Sequence, residues 1–160
     1  MRNSKRIKIV AGGTALLMGA GVAYAYWTTS GSGTGSGATT AGVTDTLSFA
    51  QNSLSPMFPG DSAQNLSVAV KNTGSESVYV TTVKAFVTTD AAEACDGSNF
   101  KLNGSPAPST AEDAVALTWT GVDLGSNVSA NATGTSQYNP TGENQDPCKD
   151  ATVTIHYLAR

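Results

Sequence analysis

The chain has 160 residues, of which nine are Lys or Arg, 12 are Asp or Glu and one is a histidine. This length leaves room for one domain with a hydrophobic core. The net charge of −3 is of the wrong sign for phosphate groups, so nucleic acid is not expected as a partner.

The first 25 residues have the pattern of a secretory signal peptide. Four cations precede an apolar run from Ile9 to Ala25, and no acid occurs in this part of the chain. Ala23 and Ala25 are small residues at the −3 and −1 positions that a signal peptidase requires. We therefore predict cleavage between Ala25 and Tyr26, and a secreted or surface-associated mature protein.

The alternative is that this segment stays in the membrane as an anchor. Seventeen residues with four glycines are short for a membrane span, which favours cleavage. Removal of four cations would leave five Lys and Arg against 12 Asp and Glu, a net charge of −7. Contact with the membrane is expected only through this apolar segment, where it is not cleaved.

Residues 26–42 are predicted to form a linker. Positions 28–42 contain only Gly, Ser, Thr and Ala, which cannot bury enough apolar surface to offset the entropy of ordering. The composition favours a simple spacer. The aromatic pair Tyr26 and Trp27 leaves a second role open, in which this arm contacts a neighbouring copy and adds to an exposed sheet edge.

From Val43 to Arg160, apolar residues recur with a period of two, which is typical of strands that have one buried face. The alternation slips at 81–83, which suggests a bulge within the long strand Val78–Thr88. The segment Thr89–Ala94 suggests a single helical turn. The predicted strands are Val43–Phe49, Leu66–Val70, Val78–Thr88, Phe100–Leu102, Val115–Trp119, Val128–Ala132 and Val153–Tyr157.

About seven short strands separated by turn residues predict an all-β domain over 43–160, a single antiparallel β-sandwich of immunoglobulin-like or jelly-roll type. Cys95 and Cys148 are expected to form a disulfide, because an even cysteine count in an exported chain favours pairing over free thiols. Both lie among polar residues, so the bridge should join loops rather than facing core strands.

No catalytic residue, metal site or cofactor is predicted. His156 is the single histidine and alternates with threonines, so it should face solvent, whereas a zinc site needs three or four ligands. Carboxylates cluster at Asp90, Glu93 and Asp96, but their spacing does not match a calcium loop. The aromatic residues are scattered through the strands and are expected mainly in the core.

Three stretches together carry a family resemblance. They are the signal exit AYAYWT at 23–28, the pair LSPMFPGD at 54–61 and VAVKNTGS at 68–75, and the closing segment NQDPCKDATVTI at 144–155. They resemble the camelysin/TasA-type secreted proteins of Gram-positive bacteria, whose signals are removed by a SipW-type peptidase, and in particular the small actinobacterial members.

The resemblance implies a subunit of an extracellular matrix or biofilm fibre. It also includes a surface metalloprotease, but the sequence has no His-Glu-x-x-His from which a metal site could be carried over. We therefore expect a non-enzymatic structural protein whose partners are copies of itself or cell-wall components. A binding module for cell-wall glycan or for another surface protein is the alternative, and a surface protease is the least favoured.

Overall fold

The computed structural model describes residues 47–91 and 93–160. The predicted signal peptide, the cleavage residues Ala23, Ala25 and Tyr26, and the linker with Trp27 lie outside this part of the chain. So do the first four residues of the predicted domain.

The described residues form an all-β fold with antiparallel strand pairs, as predicted. Two three-residue 3₁₀ turns, Gly97–Asn99 and Asp146–Cys148, are the helical elements of this part, in which no helix is long and apolar enough to cross a membrane. The strands are β1 Leu47–Gln51, β2 Gln64–Asn72, β3 Val78–Val80, β4 Val83–Thr89, β5 Phe100–Leu102, β6 Ser105–Pro106, β7 Val115–Ala116, β8 Val122–Leu124, β9 Ser129–Tyr138 and β10 Val153–Ala159.

The strands are arranged in three sheets. The largest has the order β1-β2-β9-β5-β6, the second has the order β10-β4-β7, and β3 pairs with β8. In the largest sheet, β2 lies between β1 and the central strand β9: Ala69 faces Ala50 of β1 on one side and Asn131 of β9 on the other. In the second sheet, β10 and β4 pair along seven residues, from Val153 opposite Thr89 to Ala159 opposite Val83.

The two larger sheets share one hydrophobic core. Alternate residues of β2 are buried at Leu66, Val68 and Val70, and β10 buries every second residue in the same way. The ring of Phe49 on β1 stacks on the ring of Tyr157 on β10, with centroids 5.9 Å apart. The period of two therefore places one face of each sheet inward, which gives a sandwich-like arrangement.

The segment predicted as one bulged strand, Val78–Thr88, is instead two strands. The chain leaves the β3–β8 sheet after Val80 and enters the second sheet at Val83. Between them, the backbone N–H groups of Thr81 and Thr82 both donate to the carbonyl oxygen of Arg160. The slip in the alternation marks a change of sheet, which a single sequence cannot distinguish from a bulge.

Strand lengths around β9 also differ from the prediction. The weak strand expected at Val128–Ala132 is the ten-residue β9, which continues through a polar stretch to Tyr138. The strand expected at Val115–Trp119 pairs with β4 only over two residues, because Thr118 turns to exchange two backbone hydrogen bonds with Thr133. Strands β6 and β8 were not predicted, whereas the equally short β5 coincides with the predicted strand Phe100–Leu102.

The predicted disulfide is present. The sulfur atoms of Cys95 and Cys148 are 1.99 Å apart, and the bridge joins two loops, as the polar sequence context indicated. Both residues are nevertheless fully buried and belong to the core. The turn before Cys95 is also as expected, with the N–H groups of Ala94 and Cys95 both donating to the carbonyl of Ala91.

Candidate functional site

The outer edge of β1 is the first candidate contact surface, because part of its backbone hydrogen-bonding groups face away from the sheet. On β2, the backbone of Ser67 faces β1, because its carbonyl accepts from the N–H of Asn52 at 2.9 Å. The alternation of an antiparallel pair then directs the backbone groups of Ser48 and Ala50 toward β2, and those of Leu47, Phe49 and Gln51 outward. No strand of the described part of the chain pairs with this outer side.

Two side chains of β1 contact β10 on the inner face of the sheet. Phe49 stacks on Tyr157, and the Tyr157 hydroxyl donates to Oε1 of Gln51. Burial raises the pKa of Tyr157 well above its usual range, so the hydroxyl remains protonated and continues to donate. The edge is thus held rigid against β10, and it carries neither the lysine nor the proline that commonly block edge strands.

His156 lies on the outer face of the second sheet, as predicted, but it is half-buried rather than free in solvent. Its ring stacks on Phe86 with centroids 4.5 Å apart, and Nε2 is 2.8 Å from Oγ1 of Thr88. Burial lowers the pKa of His156 from its ordinary value. The partners of the histidine are therefore an aromatic ring and a hydroxyl.

The carboxylates singled out in the sequence have local structural partners. Oδ1 of Asp90 accepts from the backbone N–H of Thr152, and Oδ1 of Asp96 accepts from that of Ser98, both at 2.9 Å. Glu93 and Asp96 border a hollow of about 290 Å³ together with Glu143. In the parts of the chain that the structure describes, no group of three His, Cys, Asp or Glu side chains is placed to hold a metal ion.

A groove beside Trp119 is a site that the sequence did not reveal. Its volume is about 400 Å³, with segment 118–122 on one side and Ala130, Asn131 and Thr133 of β9 on the other. It opens because the chain diverges from β9 after the Thr118–Thr133 bridge to form β8. We call it the Trp119 groove.

Trp119 packs against the core, whereas Tyr79, which lies beside Gly121 of the groove, departs from the expectation that aromatics belong mainly to the core. Trp119 is half-buried, and its indole N–H donates to the carbonyl of Val80 at 3.0 Å. Tyr79 is 57% exposed and its hydroxyl lies so close to Gly121 that a side chain there would collide with it. β3 falls within the single strand predicted at Val78–Thr88, and the sequence did not indicate which face of β3 would be covered.

Of the predicted site residues, the structure brings together Cys95 and Cys148 and leaves Ala23, Ala25, Tyr26 and Trp27 outside the described residues. Comparison of the chain with protein-family models, with curated proteins and with solved structures finds no match.

Proposed function

We propose that this chain is a secreted, non-enzymatic structural protein of the cell surface or extracellular matrix, which assembles with copies of itself. The observation that carries the proposal is the outer edge of β1. Its backbone donors and acceptors point away from the sheet over three residues, and its sequence, LSFAQ, is uncharged. Such an edge is a template for an extended segment of another chain.

Export is supported by two features. The N-terminal 25 residues have the charge and apolar pattern of a signal peptide, and the Cys95–Cys148 bridge is of a kind that persists in oxidising compartments. The acidic balance expected after cleavage, −7, keeps a secreted protein soluble until contacts form.

The N-terminal arm supplies the partner for the edge. It precedes β1 in the sequence, and a flexible chain of the 17 residues 26–42 would span on the order of 20–25 Å. Tyr26 and Trp27 at its start give it an apolar end that can bind a neighbouring copy. Contacts of this head-to-tail kind do not close on themselves and so produce filaments.

The test compares the mature chain beginning at Tyr26 with a shorter chain beginning at Val43, by light scattering over a range of concentrations and by electron microscopy. We expect the longer chain to assemble with increasing concentration and the shorter chain to stay monomeric. If both stay monomeric, the assembly role fails. If both assemble equally, the arm is only a spacer.

A pair of lysine substitutions tests the edge itself. Ser48→Lys places a cation on the exposed side of β1, whereas Ser62→Lys places one on an exposed loop. We expect Ser48→Lys to suppress assembly of the mature chain and Ser62→Lys to leave it unchanged. Equal assembly of the two variants would contradict the use of this edge.

A further inference from the structure

We infer that the Trp119 groove is a binding subsite for a neutral glycan, one whose pyranose rings carry equatorial substituents, such as a β-linked N-acetylglucosamine or glucose oligomer. This goes beyond the matrix role and does not depend on assembly of the chain. The groove, of about 400 Å³, falls within the common size range of small-ligand sites, about 300–1,000 Å³.

The lining of the groove selects for a neutral ligand. None of the residues that line it is charged, although the chain as a whole is acidic. The lining combines the polar residues Thr118, Thr120, Asn131 and Thr133 with the apolar residues Trp119 and Val122. A sugar ring likewise combines apolar and polar groups, with C–H groups on its faces and hydroxyls around its rim.

Trp119 is held in place for stacking. Its Nε1 hydrogen bond to Val80 fixes the ring, and the bond uses the only polar atom of the side chain. The ring can therefore contribute its apolar surface to a ligand but no further hydrogen bond. The negative face of an aromatic ring attracts the partial positive charge of axial C–H groups, and a fixed ring loses little entropy when the ligand binds.

The backbone of β9 supplies polar groups on the opposite wall. Thr133 and Thr135 aim their backbone groups away from β2, at Thr118 and Asn103, so the register aims those of Asn131 and Ser129 in the same direction. No strand of the described residues pairs with β9 there. These backbone groups can donate to and accept from the hydroxyls of a bound sugar ring.

The experiment titrates the mature Ser48→Lys variant, which is expected to stay monomeric, with the hexamer of N-acetylglucosamine and with cellohexaose, and follows the indole N–H signals by NMR. Trp27→Phe assigns the signal of Trp119, because the sequence holds two tryptophans. We expect a saturable shift of the Trp119 signal for at least one of the two hexamers. Asn131→Ala should weaken binding about fivefold or more, through loss of a hydrogen-bonding side chain.

Asn65→Ala is the matched control, since Asn65 is an exposed asparagine on β2 of the same sheet and does not line the groove. Unchanged affinity in this variant, with weaker binding in Asn131→Ala, supports the site. The inference is overturned if neither hexamer shifts the Trp119 signal, or if Asn131→Ala binds as tightly as the wild type. Equal binding of an anionic hyaluronan hexamer, or shifts caused only by the peptide TTSGSGTGS, would also overturn it.

Discussion

Asn72 shows how a single buried polar side chain joins three parts of the chain. It is fully buried at the end of β2. Nδ2 donates to the carbonyls of Glu76 and Leu124 at 2.7 and 2.8 Å, and Oδ1 accepts from the N–H of Gly74 at 2.8 Å. Both N–H donors and the oxygen of the buried amide therefore have hydrogen-bond partners, so its burial leaves no polar group unpaired.

Asn72→Ala should lower the free energy of unfolding by about 2–4 kcal/mol, because it removes the Nδ2 donor from the buried carbonyl of Leu124 and leaves a cavity. Urea denaturation measures this change. Asn65→Ala on the exposed face of the same strand is the control and should change it by less than about 0.5 kcal/mol. A similar effect of the two substitutions would show that Asn72 does not hold this junction.

His156 should make stability depend on pH near neutrality. Burial lowers its pKa in the folded chain, so the unfolded chain binds a proton that the folded chain resists. The stabilisation is complete above the ordinary histidine pKa, near 6.5, and is lost as the pH falls through the lower folded pKa.

Between about pH 7 and pH 5, the free energy of unfolding should therefore fall more steeply for the wild type than for His156→Gln, which cannot titrate. Urea denaturation at several pH values gives both slopes. Parallel slopes over this range would mean that the histidine is not destabilised in its charged form.

The bridge between Cys95 and Cys148 spans 53 positions of sequence. Closing a loop of this length removes about 4 kcal/mol of denatured-state entropy in the chain model. Cys148→Ser should therefore lower the melting temperature without abolishing the fold, because the apolar core of the two sheets persists. Wild-type protein reduced with dithiothreitol is the matched control and should melt at a similar temperature.

Complete loss of folded structure in Cys148→Ser would show that the core alone is insufficient. Modification of the oxidised wild type by a thiol alkylating agent, under denaturing and non-reducing conditions, would show that no bridge exists.

At the scale of elements, strict alternation predicted two of the long strands but overestimated the strand at Val115–Trp119, of which β7 covers two residues. The alternation over Leu66–Val70 and Val153–Tyr157 falls within β2 and β10, since each has one face in the core and one outside. The part of β9 beyond Ala132 was not predicted, because its inward positions include Gly134 and Ser136 instead of apolar residues. Its place in the sheet comes from neighbours on both sides, which local pattern does not encode.

The candidate sites were less predictable than the strands. The disulfide could be predicted from the even number of cysteines in a chain that carries a predicted export signal. The Trp119 groove depends on where segment 118–122 leaves β9, and the open β1 edge depends on strand order. Both are consequences of pairing between distant segments, so no local motif marks them.

The 3₁₀ turn before β5 depends on close backbone packing at Gly97. A β-carbon at this position would lie 2.8–2.9 Å from the carbonyl oxygens of Val87, Ala107 and Pro108. Gly97→Ala should therefore destabilise the fold by about 1–3 kcal/mol, measured by urea denaturation. Gly125→Ala is the control, because its β-carbon would make only an ordinary contact of 3.5 Å with Val128. Equal stability of the two variants would contradict the packing described here.

At the scale of the whole molecule, the predicted signal peptide and the disulfide-linked β domain both agree with the proposal that the protein acts outside the cell. Assembly through β1 and glycan binding at the Trp119 groove both presuppose that the mature domain reaches the extracellular space.

Intact-mass analysis of the protein recovered from culture supernatant tests this claim most directly. We expect a chain that begins at Tyr26 and is lighter by two hydrogens than its reduced form, because Cys95 and Cys148 are joined. Protein that remains with the cells and retains residues 1–25 would contradict export by cleavage and would favour the membrane-anchor alternative.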